Sequence, residues 1–255
     1  GGAEDYFTHE VGGGSNLFYD MHNDTGRTLR AAGAALDGVY STHLYVERAI
    51  AEVQQFARGV DGSNLFMYLA FQAIHSPDEV PQAYKDPFNT TISGGPLSAH
   101  RRTVAGMISA LDEGVGNVTA AWKRAGLWDR TIMVFTTDNG GPAQGFNNNM
   151  ACNWPLRGMK RTLWEGGVRG TAFITGAISK TGYSNHEMYH SCDWYPSLLS
   201  LAINGLDADP ASARWKSFPV HGLGPDEPPF QLGDGMDVWA SLSTGSASPR
   251  TEVCT

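Results

Sequence analysis

The sequence predicts an α/β fold with a mostly parallel central sheet. Three observations carry this prediction: short apolar runs typical of strands covered on both faces, a long amphipathic helical segment between two of them, and polar tips directly after the strands. Helix and strand alternating in this order are typical of βαβ units. At 255 residues the chain is long enough to bury a full core.

The first predicted elements are a helix and a buried strand. In residues 41–53 the apolar positions recur at spacings of three and four, which predicts a helix. The strand Leu65–Phe71 is apolar throughout, and the polar run Gln72–Pro77 follows it. Open α/β sheets bind ligands at the carboxyl ends of their strands, so this run is a candidate site.

A long helix and a second strand follow. Apolar residues recur at helical spacing from Ser98 to Gly126, and two basic residues stand in the last turn, as helix ends prefer. Thr131–Thr136 reads as another buried strand, and it leads into the tip Asp138–Gly141.

The last third of the chain contains two further predicted elements. Thr171–Thr175 is a third short strand, and Asp193–Ala202 reads as a short helix capped by Asp193. Beyond Gly205 the chain is Pro-rich and irregular. We see no internal repeat and no linker between domains.

The charge and the length of the apolar runs argue against nucleic-acid binding and against a segment that spans a membrane. The net charge of −8 and the lack of Lys/Arg clusters argue against nucleic-acid binding. The longest apolar run, Leu65–Phe71, is far shorter than the roughly 20 residues that span a bilayer. Three cysteines, Cys152, Cys192 and Cys254, fit neither a disulfide framework nor a four-cysteine zinc site.

Three N-glycosylation sequons begin at Asn23, Asn89 and Asn117. They permit glycosylation if the chain passes through the secretory pathway, although such triplets also arise by chance. A lysosomal or extracellular location is the matching expectation.

The tip after the second strand offers oxygen ligands. Asp138 and Asn139 provide one charged and one neutral oxygen ligand for a hard cation such as Ca²⁺ or Mg²⁺. The alternative is an ordinary turn, because Asn, Asp and Gly all favour turns.

Two further residues are candidates for chemistry on an anionic substrate. His75, after the first strand, is placed to act as a general acid or as a donor, and the alternative is a loop-capping histidine. The ammonium of Lys160 could neutralise an oxyanion, and the alternative is a solvated surface lysine. Arg157, Arg161 and Arg169 make this loop locally basic within an acidic protein, which favours an anion site. We expect Arg157 and Arg169 to be structural.

Several segments in order resemble type I sulfatases, most closely the arylsulfatase B-like group. The main ones are Phe66–Pro77, Thr136–Gly141, Asn153–Lys160 and Leu163–Arg169. Weaker likeness lies in Glu4–Phe7, Leu111–Val118 and Asp193–Leu198. Cys152 only superficially resembles the family's Cys-x-Pro-x-Arg signature, because the spacing has one residue too many. We interpret it as an ordinary loop cysteine.

The resemblance implies an alkaline-phosphatase-like α/β sandwich that hydrolyses sulfate esters, sulfated sugars among them, with a formylglycine nucleophile and a bound divalent cation, usually calcium. It implies that Asp138 and Asn139 are metal ligands and that His75 and Lys160 are catalytic and substrate-binding. It also implies the formylglycine-generating enzyme as a partner.

The family's early Asp-Asp ligands, its nucleophile segment and its Lys-x-His pair are not in the sequence, and they belong upstream of Gly1. We therefore expect residues 1–255 to be part of a sulfatase catalytic domain, without the nucleophile segment and the C-terminal small subdomain, and to be inactive alone. Two alternatives remain: a truncated noncatalytic homologue, and a phosphatase or phosphodiesterase of the same superfamily.

Overall fold

The computed structural model describes residues 5–12, 18–21, 36–59, 63–91, 94, 98–143, 150–178, 180–204 and 234–253. The chain divides into two compact units. The first unit comprises residues 1–129 and 139–170, and the second comprises residues 130–138 and 171–255. None of the helices described in these ranges is long and apolar enough to cross a membrane.

The described residues of the first unit form a small antiparallel strand pair and four α-helices. Strand β1 (Glu10–Val11) pairs antiparallel with β2 (Phe18–Tyr19). The helices are α1 (Ser41–Arg58), α2 (Gln82–Lys85), α3 (Ser98–Arg124) and α4 (Glu165–Val168). The 3-10 turn Asp86–Phe88 follows α2. The predictions of α1 and α3 are confirmed, and α3 ends before Gly126, whose φ of +70° suits glycine.

The core of the first unit lies beside α3. One cluster of its buried residues consists of Tyr6, Tyr40, Val80, Met107 and Ala110. Helix α1 packs on α3 so closely at one point that a Cβ on Gly114 would lie 2.8 Å from Val46 Cγ2. Glycine at this position therefore permits the close approach of the two helices.

The prediction that Leu65–Phe71 is a buried strand is wrong for the described residues. This segment belongs to no strand ladder, and its exposure alternates along the chain, with Phe66 75% and Tyr68 84% exposed. Burying an all-apolar strand requires neighbours on both faces, and the described residues cover only one face of this segment. Phe71, at its end, lies near α3 at Gly114.

The second unit contains the strand pair β3 (Ile132–Thr136) and β4 (Ala172–Gly176), and the helices α5 (Trp194–Asn204) and α6 (Trp239–Thr244). Each predicted strand exists, but the pair is antiparallel and half-exposed, with Phe135 stacked on Phe173. Parallel pairing is therefore not seen among the described strands, since both pairs are antiparallel.

The predicted helix from Asp193 is confirmed with a different start. A 3-10 turn, Ser191–Asp193, precedes α5, and His190 is its N-cap residue. The Asp193 carboxylate accepts a hydrogen bond from the His190 backbone N–H at 2.8 Å. The carboxylate thus caps the turn from inside it, because a capping box places the acid at its third position.

Candidate functional site

The tip Asn139–Gly141 is held against the loop Asn153–Arg169, which we call the basic loop. Gly140 N donates to Gly167 O at 2.9 Å, and Lys160 N donates to Gly141 O at 3.3 Å. A Cβ on Gly140 would overlap the carbonyl of Gly166. The tip and Lys160 are therefore brought together by backbone contacts that only a glycine-rich sequence permits.

The side chain of Asn153 links the tip to the basic loop. Its side chain accepts from Gly141 N at 2.9 Å and donates to Gly141 O at 2.7 Å and to Gly158 O at 3.2 Å. The side-chain amide thus forms hydrogen bonds with backbone groups of both segments. Residue-by-residue reasoning from the sequence did not assign a role to Asn153. Its place in the Asn-Trp-Pro run beside a Gly-rich tip is the signal that could have found it.

The basic loop also fixes its own shape. Gly166 N donates to Arg157 O at 2.7 Å, and Thr162 Oγ1 donates to Met159 O at 2.7 Å. Arg161 has a φ of +74°, a backbone conformation that is strained for a residue with a Cβ. Strain of this kind is held by surrounding contacts and collects at functional sites.

Lys160 lies in a positively charged setting. The basic loop carries four cationic side chains, Arg157, Lys160, Arg161 and Arg169, against the single carboxylate of Glu165. That carboxylate pairs with Arg169 at 3.4 Å. Lys160 itself is half-buried, and among the described residues its ammonium has no carboxylate partner. The arrangement suits an anionic ligand.

Asn139 and Asp138 differ in their surroundings. Asn139 is half-buried, and its Nδ2 donates to Gly140 O at 2.9 Å, which leaves Oδ1 as an acceptor. Asp138 is exposed, and it follows Thr137, whose backbone N–H donates to Thr171 O at 3.0 Å. Two oxygen ligands of this kind fit part of the shell of a hard cation. Within the described ranges no group of three or more His, Cys, Asp or Glu residues could hold a metal.

His75 lies in the first unit on a well-anchored turn. The buried Tyr6 hydroxyl donates to the carbonyl oxygens of His75 at 2.7 Å and Gln72 at 3.1 Å. Burial raises the pKa of Tyr6, so the hydroxyl keeps its proton. The imidazole is exposed, and its Nδ1 donates to Ser76 O at 2.7 Å, so Nε2 is the acceptor nitrogen of the neutral ring. In the described part of the chain no hydrogen bond joins His75 to the basic loop.

A buried ion pair organises the second unit, and it was not predicted. Arg250 Nε and Nη2 donate to Asp193 at 2.7 and 2.6 Å, and Met236 N donates to the same carboxylate at 2.8 Å. Asp193 is 1% and Arg250 8% exposed. Burial raises the pKa of Asp193, but these hydrogen bonds outweigh it, so its pKa lies below the usual 3.8. The partners are 57 residues apart, so no local pattern could reveal the pair.

A Cys-His contact lies beside this pair. His190 Nδ1 accepts from the Cys192 backbone at 3.4 Å and lies 2.9 Å from Cys192 Sγ. Burial, followed by the Asp193 charge, raises the pKa of the Cys192 thiol, so it stays protonated, with His190 Nδ1 at 2.9 Å and Asp193 Oδ1 at 3.8 Å as its possible acceptors. This arrangement is structural rather than nucleophilic. Cys192 and Cys152 are both free thiols, and Cys254 lies outside the described residues.

Comparison with known proteins gives consistent matches. The family model described as Sulfatase matches residues 3–205. Arylsulfatase J of Mus musculus is 36% identical over 99% of this chain and 36% of its own length. N-acetylgalactosamine-6-sulfatase of Mus musculus is 29% identical over 68% of this chain and 33% of its own. The chain thus spans about a third of the length of these relatives.

Solved structures confirm the predicted fold class, α/β of the alkaline-phosphatase-like type. The structure of Ps i-CgsB in complex with k-i-k-neocarrahexaose has a TM-score of 0.59 and 28% identity, and covers 68% of this chain and 36% of that one. The yidJ protein of Bacteroides fragilis has the same TM-score at 19% identity and covers 83% of this chain and 43% of its own. The latter likeness concerns the fold alone.

Proposed function

The chain belongs to the sulfatase family, and we propose that it contributes to a sulfuric ester hydrolase of the arylsulfatase type, nearest to the arylsulfatase B-like group. The observation that carries the proposal is the anchoring of Lys160 on the Asn139–Gly141 tip by backbone hydrogen bonds. The backbone of Lys160 is held beside the tip that carries Asn139, and this supports a role for its cationic side chain in hydrolysis of an anionic ester.

Each site residue has a proposed role. Lys160 binds the sulfate and offsets the charge that develops on the ester oxygen. His75, once its Nε2 also carries a proton, donates from that nitrogen to the sulfate or to the leaving oxygen. Asp138 and Asn139 hold a divalent cation through oxygen atoms, and calcium suits that donor set better than a softer metal. We propose that the nucleophile is a formylglycine encoded upstream of Gly1. We propose that the bound cation acts as the Lewis acid.

Sulfated saccharides are the proposed substrate class. One relative is named N-acetylgalactosamine-6-sulfatase, and a structural neighbour is in complex with neocarrahexaose. We also propose maturation by a formylglycine-generating enzyme and residence in the secretory pathway, in lysosomes or outside the cell. Of the three sequons, Asn89 lies exposed in a turn, Asn117 lies exposed in α3, and Asn23 lies outside the described residues. Asn89 is therefore the proposed glycosylation site.

The test compares two esters of the same phenol. The protein expressed from its complete native reading frame is assayed for release of the same phenol from an aryl sulfate and from an aryl phosphate. We expect hydrolysis of the sulfate ester and little of the phosphate ester. Preference for phosphate would support the phosphatase or phosphodiesterase alternative, and no hydrolysis of either would support a noncatalytic homologue.

A further inference from the structure

Tyr6 holds both ends of the segment that carries His75. Its hydroxyl lies 2.7 Å from His75 O and 3.1 Å from Gln72 O. Its backbone N–H donates to Glu79 Oε2 at 3.1 Å, beyond His75 along the chain. His75 N also donates to Gln72 O at 3.0 Å, which closes a turn between these two residues. We call the contacts of Tyr6 with residues 72–79 the Tyr6 clamp.

Tyr6 is itself held by its buried surroundings. It is 0% exposed, and its ring stacks on the Tyr40 ring with the centroids 5.3 Å apart. The backbone N–H of Ser41, the first residue of α1, donates to Tyr6 O at 2.8 Å. Ser41 Oγ donates to Gln72 Oε1, also at 2.8 Å. The clamp therefore attaches the turn to the start of α1 through a fully buried side chain.

The Tyr6 hydroxyl acts on the peptide unit from which the imidazole is positioned. A phenol has one proton, and the shorter of its two contacts is the one to His75 O. That carbonyl belongs to the peptide unit between His75 and Ser76, and Ser76 O accepts from His75 Nδ1 at 2.7 Å. The imidazole is exposed, so side-chain packing contributes little to its position. Its place and its tautomer therefore depend on the backbone that Tyr6 holds.

We propose that Tyr6 is a positioning residue for the chemistry of His75, because its hydroxyl fixes the backbone from which the imidazole reaches the ester. Tyr6 is too deeply buried to touch a substrate, so it acts only through the turn. Misplacing a reacting group by about 1 Å costs up to about 100-fold in rate. The proposal goes beyond the roles assigned above and rests on the proton donation proposed for His75.

The experiment is a double-mutant cycle on the protein expressed from its complete native reading frame. Tyr6→Phe removes only the hydroxyl, and His75→Ala removes the group on which that hydroxyl is proposed to act. The matched control is Tyr40→Phe, the same change in a residue of the same core that is 2% exposed and whose hydroxyl makes none of the contacts of the clamp. We measure kcat and KM on an aryl sulfate for each variant with and without His75→Ala, below the onset of thermal unfolding.

We expect Tyr6→Phe to lower kcat at least about tenfold and to change KM less than about twofold, because a misplaced proton donor weakens binding of the transition state alone. In the His75→Ala background the same substitution should change kcat by less than about twofold, since no imidazole remains to be positioned. Tyr40→Phe should change kcat by less than about twofold in both backgrounds. Ser41→Ala removes the hydrogen bond to Gln72 Oε1 and should lower kcat about threefold, again only when His75 is present. This milder variant carries the test if Tyr6→Phe does not fold.

Failure of the positioning role and failure of the proposed function give different results. Equal losses from Tyr6→Phe with and without His75 would show a general structural effect and overturn the positioning role. An unchanged kcat in Tyr6→Phe would overturn it as well. Full activity in His75→Ala would overturn the proposed role of His75 and the positioning role with it, while sulfate-ester hydrolysis itself would stand. No hydrolysis of the aryl sulfate by the wild-type protein would overturn the proposed function and, with it, the positioning role.

Discussion

Replacing Arg250 with methionine should destabilise the second unit more than any surface charge change. Methionine keeps much of the length and removes the cation, so the Asp193 carboxylate stays buried without its partner. Asp193 is 1% exposed, and two of its hydrogen bonds come from the guanidinium, at 2.7 and 2.6 Å. Removing one member of a buried pair costs about 3–5 kcal/mol.

Arg169→Met is the matched control for this experiment. Arg169 pairs with Glu165 at 3.4 Å, but the two side chains are 59% and 63% exposed. An exposed pair contributes about 0–1 kcal/mol because water and salt screen it. The same chemical change therefore has two very different expected costs, and only burial distinguishes them.

Native-state hydrogen exchange of the α5 amides is the assay, because it reports opening of this helix separately from the rest of the chain. Since 1.4 kcal/mol is a factor of ten, α5 should exchange more than about 100-fold faster in Arg250→Met. In Arg169→Met the same amides should change by less than about fivefold. The double variant Asp193→Leu with Arg250→Met should recover part of the loss, because no charge remains buried.

The effect should depend on pH in one direction. The pKa of Asp193 is lowered in the folded protein, so its contribution to stability is present above its usual pKa of 3.8 and is lost as pH falls through the lower folded value. The gap between wild type and Arg250→Met should be full at neutral pH and shrink below about pH 4. A gap below about 1 kcal/mol at pH 7, or one that grows in acid, would refute the reasoning.

Three further predictions concern the first unit and the proposed site. Tyr6→Phe removes the hydroxyl that donates to His75 O. Urea titration should show that the free energy of unfolding falls by about 1–3 kcal/mol. An unchanged unfolding midpoint would contradict the anchoring role of this hydroxyl. Gly140→Ala should speed hydrogen exchange in the basic loop through a clash with a neighbouring carbonyl, whereas Gly116→Ala, with nothing within 4 Å of its Cβ, should not. If both glycine variants exchange alike, the close approach does not matter. Removing divalent cations with a chelator should abolish sulfate release by the native protein, and added calcium should restore it. The Asp138→Asn variant should need about 10–100-fold more calcium for the same activity. Activity that resists the chelator would exclude the proposed metal role.

The sequence predicted local elements better than their environment. The apolar spacing of Ser98–Gly126 predicted α3 to within two residues, since that pattern depends only on the helix itself. Leu65–Phe71 shows the limit: its composition is that of a buried strand, but burial depends on which other segments cover it. The antiparallel pairing of β3 and β4 was likewise set by partners that no local pattern specifies.

The candidate site shows the same division. Asp138, Asn139, His75 and Lys160 were named from strand ends, local charge and family resemblance, and their roles remain predictions. The hydrogen bonds of Asn153 could not be read from the sequence, because they join segments 12 residues apart through backbone geometry. The ion pair of Arg250 and Asp193 could not be predicted for the same reason, because its partners are 57 residues apart.

The most direct test of the account is the loss of sulfate-ester hydrolysis on replacing Lys160. The protein from the complete native reading frame is assayed with Lys160→Ala and with Lys85→Ala, a control lysine that is also half-buried and lies in α2. The account predicts a fall in kcat/KM of at least about 100-fold for Lys160→Ala and almost none for Lys85→Ala. Near-wild-type activity in Lys160→Ala would contradict it.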